Sequence, residues 1–344
     1  MRANGKNITG TILRIQRMST EDGPGIRSTV FFKGCPLACV WCHNPESISP
    51  RLQIYWEKSR CIGCRSCTDA CIKEALAATE AGIAIDRSAC DSCGACVEAC
   101  PSTAMGLYGE VWNLNDLACE VLKDETYFQK SGGGVTLSGG EPTMQPLFAK
   151  ELLSAFKQAG IHTALDTCGQ CSWETLDTLL PDTDLVLYDL KEINSDKHKA
   201  FTGASNTTRI LENLILLSRF VKEHRLPSEL WIRTPLIPGF TATPENLRGL
   251  GIFIKEHLGP SVSRWELCTF NNLCINKYEG LGIDWDFRKV SLVSRDEAER
   301  VACLARESGV DPGIVHLSGP TREVSPDECL EDETRSGIAR SGAC

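Results

Sequence analysis

Residues 33–46 read KGCPLACVWCHNPE, which places Cys35, Cys39 and Cys42 in the spacing C-x3-C-x2-C. Three thiolates this close face a common centre, and three is one fewer than a four-iron cubane takes when protein supplies every ligand. The fourth iron would then keep an open coordination position. Such a position separates a metal centre that acts on a substrate from one that is closed and structural. Taken alone, the triad also admits a Cys-Cys-Cys-His zinc knuckle with His43 as the fourth ligand.

A second cysteine-rich unit follows, and it contains a repeat: Cys61, Cys64, Cys67 and Cys71, then Cys90, Cys93, Cys96 and Cys100 followed by Pro101. Each run is C-x2-C-x2-C-x3-C, the pattern of two-cluster ferredoxins, in which the fourth Cys of one run ligates the other cluster. The spacing assigns Cys61, Cys64, Cys67 and Cys100 to one 4Fe–4S cluster, and Cys90, Cys93, Cys96 and Cys71 to another. Ile72, where Pro is usual, departs from the pattern. Two zinc ribbons would need pairs separated by longer gaps. Clusters that serve only as staples for a unit too small to have an apolar core stay open as an alternative. The remaining cysteines, at 119, 168, 171, 268, 274, 303, 329 and 344, have no cluster spacing and read as small apolar residues.

Composition narrows the class. With 344 residues, 42% hydrophobic and 24% charged, the chain has ample material for a buried core. A formal charge of −9 argues against a general grip on nucleic acid. No apolar run approaches the ~20 residues of a membrane span, and the first residues lack the apolar core of a secretory signal. Nineteen cysteines in clustered spacings point to metal in a reducing compartment, so the expected location is the cytoplasm, with no membrane partner.

The rest alternates strand and helix. A turn at 22–25 leads into a strand at 26–32, and residues 8–16 offer an edge segment. Further strands are expected at 135–137, 161–166, 184–189, 230–236, 265–270 and 314–317. Helices are expected at 114–122, 146–159, 173–180, 208–224, 244–257 and 295–308. Thr243 with Pro244, and Ser294 with Glu297, mark two helix starts. Such alternation implies a parallel sheet of about six or seven β/α units, too few for a closed eight-unit barrel. Polar groups cluster where these strands end. SGGEP at 138–142 supplies Gly139 and Gly140, which let main chain approach closely, and the carboxylate of Glu141. Asp166 and Thr167 end one strand; Asp189 ends the next, with Lys191 two residues on. Arg233 sits within an apolar strand, an expensive position unless it is paired.

DGPGIR before the cluster loop, Trp41 just before the third cysteine, GGGVTLSGGEP, DTCG and DLK occur in one order. In that order the chain resembles a radical S-adenosylmethionine (SAM) enzyme, and more narrowly the activating enzymes of glycyl radical enzymes, of the pyruvate formate-lyase activating enzyme type. The resemblance implies an α/β fold: a partial (β/α)6 radical SAM barrel with a small ferredoxin-like insert. Residues 1–50 would begin the barrel, 51–107 form the insert, 108–324 complete the barrel and 325–344 be a disordered tail. It also implies the reaction, reductive cleavage of SAM to a 5′-deoxyadenosyl radical that takes hydrogen from a glycine of a partner enzyme.

By the same resemblance Cys35, Cys39 and Cys42 hold the catalytic cluster, the first of three 4Fe–4S clusters, with Trp41 beside the cofactor. The segment of Gly139, Gly140 and Glu141 meets the amino group of SAM. Asp166, Thr167 and Asp189 hold a monovalent cation next to it, Lys191 contacts its carboxylate or sugar, and Arg233 lies near it. Relatives often carry His beside an aromatic where Asn271 stands, and Asn cannot carry a proton across neutral pH. The implied partners are a glycyl radical enzyme and a flavodoxin or ferredoxin donor, with the chain a monomer. The alternatives are a radical SAM enzyme acting on a small molecule and a non-catalytic iron–sulfur electron-transfer protein.

Overall fold

The computed structural model describes residues 8–203 and 207–323; the expected tail at 325–344 lies outside the described residues. β1 (Thr9–Ser19) and β2 (Arg27–Phe32) pair antiparallel. The insert then contributes β3 (Gln53–Trp56), β4 (Leu76–Thr79), β5 (Gly82–Ile85) and β6 (Met105–Tyr108), and β7 (Glu110–Asn113) returns to β1. After these come β8 (Gly134–Gly139), β9 (His162–Thr167), β10 (Leu185–Asp189), β11 (Glu229–Leu236), β12 (Arg264–Thr269) and β13 (Val315–Ser318).

These make one nine-stranded open sheet in the order β13-β12-β11-β10-β9-β8-β2-β1-β7. β2 and β8 to β13 are parallel, joined by helical crossovers, as the alternation predicted. The expected edge segment is instead interior: β1 lies between β2 and β7, and β7 is the edge. The register divides the sheet into two faces. Val30, Leu137, Leu165, Val186 and Leu230 form one continuous row, and Tyr188, Ile232, Trp265 and Val315 a second. All of these belong to the main core, against helices such as Pro146–Gln158, which buries Phe148, Ala149, Leu152, Leu153 and Phe156. Each large side chain taken out of water there contributes about 1.5–3 kcal/mol.

The opposite, concave face is apolar at its base, where Ala164, Leu185, Leu187 and Trp231 pack together, and polar at the strand ends. Asp189, Arg233 and Glu266 stand side by side on β10, β11 and β12, and Asp166 pairs in register with Leu187 one step lower. A parallel strand covered by helices on both faces would be apolar throughout. The alternation here leaves the concave side for chemistry.

DGPGIR fills the concave side from below, at the end away from the strand C-termini. Arg27 is fully buried and donates from Nε to Thr136 Oγ1 (2.6 Å) and from Nη2 to the Val135 carbonyl (2.7 Å). Asp22 accepts from Ser19 Oγ (2.6 Å) and Thr29 Oγ1 (2.7 Å). Gly25 has φ of 68°, and a Cβ there would meet the Gly133 backbone nitrogen at 2.4 Å, so the turn packs backbone on backbone.

Five helices were not expected from sequence: Ser66–Asp69 and Ala95–Glu98 in the insert, and Glu125–Ser131, Ser195–Thr202 and Ile275–Leu281. All are short, and Ile275–Leu281 has no side-chain N-cap, so the local signal is weak. The helix expected to reach residue 257 is α-helical only over Pro244–Phe253, then widens to a π turn. Arg27→Ala should cost about 3–5 kcal/mol in urea unfolding, because it leaves buried acceptors without a donor, and Arg27→Lys should recover only part of that loss.

Candidate active site

The cluster loop follows β2 and is held almost entirely through its backbone. Cys35 N donates to the Ile48 carbonyl (3.0 Å), Ala38 N to Thr202 O (2.7 Å) and Val40 N to Phe201 O (3.0 Å). From the far side, Trp285 Nε1 donates to Val40 O (2.8 Å), Tyr278 Oη to Cys42 O (2.8 Å) and Lys277 Nζ to His43 O (2.8 Å). Glu46 is buried and accepts from Arg14 (3.1 Å) and Lys277 (3.0 Å), which closes the loop as a charged knot. Trp41 is buried edge-on to Phe201 and Phe240, with ring centroids 5.9 and 6.1 Å away.

The glycines of SGGEP are required by this crossing. A Cβ on Gly139 would sit 2.3 Å from Phe32 N, and one on Gly140 would sit 2.3 Å from the Gly34 carbonyl. Glu141 N donates to that same carbonyl (2.8 Å), so the end of β8 is stitched to the start of the cluster loop.

A cavity of about 230 Å³ opens above the strand ends. Cys39, Trp41, Cys42 and His43 line one side; Ser138, Gly139, Asp166, Asp189, Lys191 and Arg233 line the other. Ser138 Oγ donates to Asp166 Oδ2 (2.5 Å), Arg233 Nη1 lies 3.7 Å from the same oxygen, and Arg233 Nε lies 3.2 Å from Glu266. Thus the Arg within an apolar strand is paired on both sides. Lys191 pairs with Asp189. Burial pushes the Asp166 carboxyl up to about 7 despite Arg233, and its Oδ1 is buried with no hydrogen-bond partner among the described residues. A buried oxygen without a partner is an unfilled valence for a cation or a donor.

Four expected site residues are not in the lining of that cavity: Cys35, Gly140, Glu141 and Thr167. Glu141 is fully buried behind its wall, accepting from Thr143 Oγ1 (2.8 Å), Thr167 Oγ1 (2.9 Å) and Cys168 N (2.7 Å). Its carboxylate ties the ends of β8 and β9 together instead of reaching a ligand. Thr167 turns its hydroxyl to Glu141 and away from any cation site. Cys168, read from sequence as a small apolar residue, packs with Leu37 against Cys35 and Cys39.

Burial pushes the Cys39 thiol up to about 11 and Cys42 further, and a metal must displace those protons to bind. His43 Nε2 lies 2.8 Å from the Asn271 carbonyl, which only accepts, so that nitrogen carries the proton and Nδ1 keeps the lone pair. Sequence reasoning missed Ser138, Glu266, Lys277, Tyr278 and Trp285. Only Glu266, a lone acid in an apolar strand, carried a local signal.

In the insert, β3 pairs with β6 and closes the unit at its neck. A cavity of about 170 Å³ is lined by Cys71 together with Cys90, Cys93 and Cys96. The spacing suggested that crossed set.

Residues 100–248 match the radical SAM superfamily and residues 53–104 a 4Fe-4S dicluster domain. The trans-4-hydroxy-L-proline dehydratase activating enzyme of Clostridioides difficile is 40% identical, over 88% of this chain and 98% of that protein. The isethionate sulfite-lyase activating enzyme of Oleidesulfovibrio alaskensis is 38% identical over 89% and 98%. The (2S)-3-sulfopropanediol dehydratase activating enzyme of Klebsiella oxytoca is 36% identical over 86% and 93%. With the motifs gathered around one cavity and these relatives spanned almost end to end, the chain belongs to the radical SAM activating enzymes of glycyl radical enzymes.

Proposed function

We propose that Cys35, Cys39 and Cys42 ligate a 4Fe–4S cluster whose fourth iron is left to the amino and carboxylate groups of SAM. The observation that carries this is the shared cavity: Cys39 and Cys42 on one wall, and a row of charged strand-end residues on the other. When bound and reduced, the cluster supplies the electron that breaks the S–C5′ bond of SAM, and the resulting 5′-deoxyadenosyl radical takes hydrogen from the partner's glycine. The chain's residues orient and shield. Gly139 and Gly140 bring main chain to the amino group, with Glu141 holding that turn from behind. Lys191 and Arg233 offer cationic donors to the SAM carboxylate and sugar, and Trp41 walls the cluster from solvent.

Asp166 and Asp189 are the proposed cation ligands, with Asp166 Oδ1 as the oxygen still to be satisfied. Residues 51–107 form the insert, which carries the second and third clusters. They take electrons from a flavodoxin or ferredoxin and pass them inward. The chain works as a monomer in the cytoplasm, and among the described residues no helix is long and apolar enough to cross a membrane. Relatives that are similarly close are named for dehydratases and a sulfite-lyase, so the shared act is activation, and the partner is a glycyl radical enzyme.

Anaerobic incubation with SAM, reductant and a candidate glycyl partner should give 5′-deoxyadenosine and a glycyl signal in electron paramagnetic resonance (EPR). Deoxyadenosine with no protein radical from any such partner would favour a small-molecule substrate. Cys42→Ala should abolish both products and lower the iron content from about twelve to about eight per chain.

The cation assignment has its own pH dependence. Below about 7 a proton occupies Asp166 and competes with the cation; above it the carboxylate is free. SAM affinity in potassium buffer should therefore rise between pH 6 and pH 8, by up to about tenfold per unit on the acid side. Titration calorimetry should show no such rise for Asp166→Asn.

A further inference from the structure

The two halves of the insert face in different directions. Arg87, just before the second cysteine run, donates to Ile54 O (3.0 Å), Gly280 O (2.8 Å) and Leu281 O (2.9 Å). Those last two carbonyls end the helix Ile275–Leu281, whose Tyr278 and Lys277 grip the cluster loop. Cys90, Asp91 and Ser92 also share a cavity of about 400 Å³ with residues 49–54, the segment that leaves the cluster loop. The second run is therefore the half set against the barrel. Hydrogen bonds of residues 57–71, by contrast, stay within the insert among the described residues.

The outward half has a distinct surface. Residues 58–65 carry Lys58, Arg60 and Arg65 with no acid among them, in a chain of net charge −9. All three are exposed, as is Cys64, and Ile62 between them is 68% exposed. Lys58 and Arg65 form no ion pair among the described residues, and Arg60 pairs only with Glu57 at the edge of the loop (2.9 Å). Around the inner run the exposed charges are Asp86, Arg87, Asp91 and Glu98, with Asp91 3.9 Å from Lys73. Ile72, 94% exposed, is followed by Lys73 and Glu74 and gains no net charge from them.

Resting on the relay reading above, we infer that the Lys58–Arg65 loop is the docking surface for an acidic one-electron carrier protein. A basic rim around an exposed apolar residue, directly over a cluster ligand, steers a negatively charged partner and seats it where transfer is short. One electron passes from the reduced carrier to the oxidised cluster of Cys61, Cys64, Cys67 and Cys100; no bond or proton moves. Residues 90–100 hold no Lys or Arg, so the carrier enters at the outer run.

The test uses the full chain loaded with all its clusters, in the triple variant K58E/R60E/R65E. The bimolecular rate at which an acidic ferredoxin reduces the insert, followed by EPR at low salt, should fall at least about tenfold. Reduction by photoreduced deazaflavin, a small molecule with no docking requirement, should be unchanged, and iron content should match wild type. The wild-type rate should fall with added salt and the variant's should not. An unchanged ferredoxin rate overturns the proposal, as does an equal loss with deazaflavin. Salt-sensitive self-association of the wild type, abolished in the variant without carrier present, would assign the loop to a second copy and overturn it too. The relay reading fails separately: if Cys64→Ala and Cys93→Ala leave the reduction rate of the Cys35, Cys39 and Cys42 centre unchanged, electrons bypass the insert whatever docks on it.

Discussion

A loop that gives only three thiolates to a cubane must be kept in shape without a fourth protein ligand. Main-chain hydrogen bonds do this here. Thr202, Phe201 and Ile48 take the loop's amides, while Tyr278, Lys277 and Trp285 take its carbonyls. None of these contacts uses a thiol, and Cys39 and Cys42 line the cavity. The buried Glu46 knot fixes the far end of the loop, and the glycines at 139 and 140 let β8 reach its near end. If the loop were held through side chains nearer the metal, a donor would compete for the open iron.

The second requirement is charge placed deep in a protein without an unaffordable desolvation cost. Sheet register meets it. Because Asp189, Arg233 and Glu266 fall in one row of parallel strands, each charge has a neighbour of opposite sign within a strand spacing. Arg233 is thus compensated before any ligand arrives. Asp166 is not fully compensated, and the result is a carboxyl near neutrality with an orphan oxygen. A site with one unfilled valence selects what completes it.

Much of this was legible in the chain before folding. The cysteine spacings suggested three ligand sets, and Cys71 does line one cavity with Cys90, Cys93 and Cys96, because iron–sulfur coordination constrains local sequence tightly. The alternation of strands and helices gave a parallel sheet, and strand ends gave Asp166, Asp189 and Lys191. Side-chain direction was not legible. Glu141 and Thr167 sit in the expected motifs yet point at each other behind the wall, because two adjacent strand ends close on themselves there. Nor did local pattern reveal Tyr278 and Lys277: their short helix lacks a side-chain cap and matters only through a contact more than two hundred residues away in sequence. β1 looked like an edge because its alternation reports one buried face, whereas both of its sides are paired.

The open iron can be examined directly. Electron–nuclear double resonance on the reduced Cys35, Cys39 and Cys42 cluster, with SAM carrying nitrogen-15 in its amino group and oxygen-17 in its carboxylate, should show both nuclei strongly coupled to one iron. Coupling instead to a histidine nitrogen of the chain, or no coupling to either label with the cluster fully loaded and SAM in excess, would mean that the fourth corner is closed.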